Sequence, residues 1–140
     1  MPMSFPGIDR LRDFAYLCSM LKAMLIVGTG SFAGGALRYL VSSALKGTGA
    51  FPWGTLAVNG AGCFLIGLLC GLFARYSAAD SDACLLLTTG FCGGFTTFST
   101  FANESLKLLQ AGHFWGFIGY AAASVLLGIG LTAAGYLLAR

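Results

Sequence analysis

The chain has 140 residues, 57% of them hydrophobic and only 9% charged, with a net charge of +3 and a mean hydropathy of +0.82. A soluble globular chain is about a quarter charged, so the polar atoms needed to cover a water-facing surface are missing. That excludes a soluble enzyme, a nucleic-acid binder and a disordered linker, and leaves room for four membrane spans of ~20 residues each.

The basic residues Arg10, Arg12, Lys22, Arg38, Lys46, Arg75, Lys107 and Arg140 are scattered, with no run suited to tracking phosphates. Cysteines stand at 18, 63, 70, 84 and 92 without a CxxC pair. An odd number lacking ligand spacing argues against a disulfide framework or a zinc site. No catalytic constellation is present, and the chain is not read as an enzyme.

Residues 1–21 form a mixed tail holding two prolines and the charges Asp9, Arg10, Arg12 and Asp13. The apolar run after it is too long for the core of a signal peptide, and no cleavage box closes it. The tail is therefore read as an interfacial lead-in or an N-terminal extension of a membrane domain covering 22–140. The first span is expected over 23–45, followed by the polar loop KGTGA at 46–50. Phe51-Pro52-Trp53 opens the second span, 53–75, with Trp53 at interfacial depth and Pro52 tolerated beside a first turn. A loop at 77–82 offers Ser81 or Asp82 as N-cap. The third span is expected over 83–109, a tight turn over 110–113 and the fourth span over 114–139. The fold class is an all-α membrane protein, four transmembrane helices in an up-down bundle.

The glycine pairs Gly30/Gly34, Gly67/Gly71, Gly90/Gly94 and Gly112/Gly116, each at i,i+4, predict close helix contacts, because lipid provides no hydrophobic drive for association. A dimer interface is expected among them. With the N-terminus inside, Arg10, Arg12, Lys22, Arg75 and Arg140 collect on one side and Lys46 and Lys107 on the other. Much of that bias sits in the tail, and so weak a positive-inside signal permits insertion both ways round and an antiparallel homodimer.

Polar groups at membrane depth are costly and are functional candidates. Arg38 either snorkels to the headgroups or lines a water-filled vestibule that attracts anions. Asn59, with Thr55 one turn earlier on the same face, suggests a polar stripe along a pathway. Gly93-Gly94 followed by Thr96-Thr97 is poor material for a continuous helix, and a break is expected in the third span. Irregular backbone at that depth must be buried or line a cavity. Beyond it Phe98 and Phe101 share a face, with the hydroxyls of Ser99 and Thr100 beside them. Aromatic rings have positive edges that can face a small anion. Tyr120 and Ser124, with Thr132 further along, would form a hydroxyl rail on the fourth span. Glu104, the only carboxylate in a span, reads as a solvated helix-end charge, and His113 as an interfacial turn residue. The lack of a deeper carboxylate argues against proton-coupled or cation-extruding designs.

GGALRY, WGTLAVNGAGCFLIG and GFCGGFTTFSTFANE, in that order, resemble the Fluc (CrcB) fluoride channels over about residues 24–140. The resemblance implies a dual-topology, antiparallel homodimer in the cell's inner membrane, with two pores for passive fluoride export. It implies Phe98 and Phe101 bordering the ion path, Asn59 as pore asparagine, Arg38 as vestibule arginine, and Tyr120 and Ser124 on the rail. It further implies a central structural sodium ion on backbone carbonyls of the break from both subunits, here Gly93 and Thr96. One turn beyond Ser124 the family often has another serine, where this chain has Gly128. Two other classes stay open. A small dual-topology drug transporter should carry a carboxylate in its first span, which 23–45 lacks. A non-conducting scaffold would explain the glycine pairs but not the clustered Asn, Ser, Thr and Phe.

Overall fold

The computed structural model describes residues 6–45, 49 and 51–140, with side chains from Asp13 onward. The expected KGTGA loop lies outside the described residues except for Gly49. The described chain is all-helical, and four of its helices are long and apolar enough to cross a membrane: Asp13–Ala44, Trp53–Arg75, Asp82–Gln110 and Phe114–Ala139. Large apolar side chains such as Phe32, Leu126 and Ile129 are exposed along their length, an arrangement that suits lipid and not water.

Helix α1 runs from Pro6 to Ala44 without interruption. It starts well before position 23, where the first span was expected to begin. Proline at a first helical position gives up an N–H that has no partner there anyway. From Ile8 to Val27 there is then neither glycine nor proline to stop the helix. At 39 residues it is about 58 Å long. Asp13 to Lys22 is exposed throughout. Lys22 Nζ pairs with an Asp82 carboxylate oxygen at the start of the third span, with both side chains more than half exposed, so this pair contributes little.

Helix α2 (Trp53–Arg75) pairs with α6 (Phe114–Ala139), the most extensive helix contact among the described residues. Glycines bring the two backbones together. A Cβ on Gly67 would strike the Thr132 carbonyl, and one on Gly135 the Phe64 carbonyl. The third span packs on α1 in the same manner, Gly30 and Gly34 against Leu86, Gly90 and Phe91, and Gly94 against Ser31. Three of the four glycine pairs are therefore used within the chain itself. Of the fourth, Gly112 has φ +76° in the turn before α6 and nothing close to it.

The third span is composite. A helical turn, α3 (Asp82–Cys84), is capped by Ser81, whose hydroxyl accepts from the Cys84 N–H at 3.1 Å. A π-helical stretch follows over Leu85–Cys92, a geometry common near functional sites. At its start the Thr88 hydroxyl donates to the Cys84 carbonyl at 2.6 Å and competes with the backbone ladder. After the short α4 (Gly93–Phe95), Thr96 and Thr97 are extended, with ψ of 158° and 118°. Helix α5 (Phe98–Gln110) then begins, N-capped by the Thr97 side chain.

Candidate functional site

The two extended residues are held by a side chain from α2. Asn59 Oδ1 accepts from the Thr97 N–H at 2.7 Å, and Asn59 Nδ2 donates to the Thr97 carbonyl at 3.0 Å. This pairing also settles the orientation of the amide, because a backbone N–H can only meet its oxygen. A continuous helix would send the Thr97 N–H to the Gly93 carbonyl. Diverting it releases that carbonyl from the ladder. The Thr100 N–H, whose helical acceptor would be Thr96, goes instead to Thr97 Oγ1 at 3.3 Å. The Gly94 carbonyl accepts from Arg38 Nε at 3.2 Å. Arg38 thus reaches across from α1 to the α4 turn just ahead of the extended residues.

Thr97 Oγ1 is the centre of a small hydroxyl cluster. It donates to Thr100 Oγ1 at 3.0 Å and lies 3.3 Å from Ser99 Oγ. Thr97 was read from sequence only as part of a break, and its capping and backbone-pairing roles were missed. A threonine three residues ahead of Thr100, at the start of an apolar-periodic run, was the available signal.

Two cavities meet at this residue. One of about 520 Å³ is lined by Arg38, Thr55, Thr97, Thr100, Glu104 and Lys107, among others. The second, about 720 Å³, is lined by Asn59, Gly93, Thr96, Thr97, Phe98, Phe101 and Ser124, among others. Thr97 therefore forms part of the wall of both. The rings of Phe98 and Phe101 have centroids 5.6 Å apart, and Phe101 lies 5.1 Å from Tyr120. Phe98 is 79% exposed on the outer face of the chain.

Glu104 is not the solvated charge expected from its place near a helix end. Thr55 Oγ1 donates to its Oε1 at 2.9 Å and Tyr120 OH to its Oε2 at 2.8 Å. The α2 and α6 helices bring these two buried hydroxyls to either side of the carboxylate. The same contacts divide the expected rail on α6. Tyr120 is committed to Glu104, and Thr132 Oγ1 donates back to its own helix at the Gly128 carbonyl, 2.9 Å away. Ser124 Oγ is buried with no partner among the described residues and borders the second cavity. The candidate residues Asn59, Ser99, Thr100, Phe98, Phe101 and Ser124 are gathered about the extended pair, with Thr55 and Tyr120 joined to them through Glu104.

These features define a multi-pass membrane protein of four spans, its third span interrupted beside polar and aromatic side chains. The match to the family model described as "CrcB-like protein, Camphor Resistance (CrcB)" covers residues 25–136. The chain belongs to that family. A relative from Phocaeicola vulgatus, named fluoride-specific ion channel FluC, is 49% identical over 111 residues, covering 78% of this chain and 91% of the relative. Relatives of the same name from Chlorobium phaeobacteroides and Chlorobaculum tepidum are 52% and 49% identical, over 49% and 51% of this chain. Over those matches the chain spans little more than half the length of these two relatives, 55% and 58%.

Proposed function

We propose that this chain forms a fluoride-selective channel that lets cytoplasmic fluoride leave the cell passively. The observation that carries the reading is the convergence of Asn59, Phe98, Phe101 and Ser124 on one cavity beside the extended Thr96–Thr97 pair. Fluoride is small and strongly hydrated, so a selective pore must replace its water with closely placed donors. The second N–H of Asn59 Nδ2 is left over after its bond to Thr97. With the Ser124 hydroxyl and the positive edges of Phe98 and Phe101, it supplies short-range donors in a largely apolar surround. Chloride is larger and would fit such a path poorly. Arg38 and Lys107 in the neighbouring cavity provide the positive potential that gathers anions at the mouth. The relatives described above, each named a fluoride-specific ion channel, support the same reading.

The working unit in this proposal is an antiparallel homodimer with two pores, inserted both ways round in the inner membrane. Its support is the outward apolar face bearing exposed Phe98, together with the weak charge bias between the two sides. A structural sodium ion between the subunits belongs to the same proposal. The Gly93 and Thr96 carbonyls suit it, because the N–H groups a helix would give them are taken by Asn59 and Thr97. When bound, such an ion ties neutral carbonyl oxygens of the two chains together.

The test is fluoride efflux from liposomes containing the purified protein, read with a fluoride electrode, with chloride as the paired control. Rapid loss of fluoride with chloride retained is the expected result. No halide efflux from well-folded protein would overturn the proposal and favour a non-conducting scaffold.

A further inference from the structure

The cation reading leaves open why carbonyls in the middle of a membrane span are available at all. A helix normally pairs each one with the N–H four residues on, and glycine does not by itself prevent that. Two side chains account for it here. Asn59 takes both backbone groups of Thr97, at 2.7 and 3.0 Å, which holds Thr97 extended and denies its N–H to Gly93. The Thr97 hydroxyl in turn accepts the Thr100 N–H at 3.3 Å, the N-cap bond that starts α5 after the break and leaves the Thr96 carbonyl outside the helix. Arg38 occupies the intervening Gly94 carbonyl. The two freed oxygens are the pair assigned to the ion, and neither Asn59 nor Thr97 need contribute a side-chain ligand to it.

We infer that the Asn59 amide and the Thr97 hydroxyl are positioning residues for the cation site, acting by diverting the backbone donors of Thr97 and Thr100. This rests on the sodium reading of Gly93 and Thr96. It gives Asn59 two separable roles, since one amide edge holds the backbone and the remaining N–H faces the cavity with Phe98 and Phe101. Loss of Asn59 should therefore impair cation binding even with no fluoride present. Loss of the Thr97 hydroxyl should do so while the Asn59–Thr97 backbone pairing stays intact.

The experiment is a sodium titration of thermal unfolding on the full-length protein in detergent, without fluoride, with choline replacing sodium at constant ionic strength. The wild type should gain stability in a saturable manner. Asn59→Ala and Thr97→Ala should each need about tenfold more sodium to reach half the shift, the usual scale for losing a group that orients a metal ligand. Phe101→Ile, which alters the ring path only, should keep the wild-type sodium midpoint. A wild-type midpoint in either folded alanine variant would overturn the inference. If Asn59→Ala fails to fold, Thr97→Ala decides it. The absence of any sodium response in the wild type would overturn both this inference and the sodium reading, while fluoride efflux from the same preparation would leave the channel reading standing. A normal sodium response without efflux would do the reverse.

Discussion

Tyr120 donates its hydroxyl to Glu104 Oε2 at 2.8 Å, and by that contact α6 is fastened to a carboxylate on α5. Tyr120 is fully buried, and Thr55, on the other carboxylate oxygen, is 4% exposed. Removing Glu104 strands both hydroxyls away from water. A stranded buried polar group costs about 1–3 kcal/mol, so Glu104→Ala should lower stability by at least that much. Glu104→Gln keeps an oxygen for one hydroxyl and offers an N–H to the other, and should cost much less. Denaturant unfolding in detergent compares them. Equal losses in the two variants would show that charge and not hydrogen bonding holds the cluster.

Phe98 and Phe101 separate packing from conduction. Phe98 is 79% exposed, whereas Phe101 sits between Phe98 and Tyr120. Isoleucine retains apolar bulk but has no ring edge to present to an anion. Phe98→Ile and Phe101→Ile should each reduce fluoride efflux strongly and leave the assembly unchanged on size-exclusion chromatography. Normal efflux in both would remove the rings from the ion path.

Asn59→Asp keeps the acceptor for the Thr97 N–H and turns the donor to the Thr97 carbonyl into a repulsive oxygen. It also places a negative charge on the cavity that the anion would cross. Fluoride efflux should fall to the background of empty liposomes. Unchanged throughput would put Asn59 outside the pore.

The four long apolar runs were legible because a membrane span needs unbroken apolar length and glycines set where helices touch. Legible too was the neighbourhood of the extended residues, from Gly93-Gly94 beside Thr96-Thr97. Two things were not. The position of Glu104 near a helix end is compatible with solvent until α2 and α6 bring Thr55 and Tyr120 to it, a tertiary event with no local signature. Likewise, Asn59 reads as a free pore donor because its partner, the Thr97 backbone, is 38 residues away and carries no side-chain signal. Helix α1 begins at Pro6, inside the stretch read as an interfacial lead-in or N-terminal extension, because its scattered charges do not oppose a helix.

The glycines give a prediction independent of ion movement. A methyl group on Gly67 would overlap the Thr132 carbonyl, and that atom belongs to the α6 backbone and cannot rotate away as a side chain would. Gly130, on α6, has open space where a methyl group would stand, with nothing within 4 Å. Overpacking a close contact costs about 1–3 kcal/mol, while glycine to alanine in an open helix position gains up to about 1 kcal/mol in propensity. Gly67→Ala should thus unfold at lower denaturant than wild type, and Gly130→Ala at the same or a higher concentration. If Gly67→Ala were as stable as Gly130→Ala, the two helices would have to lie further apart than their glycines imply, and the close pairing of α2 with α6 would be wrong.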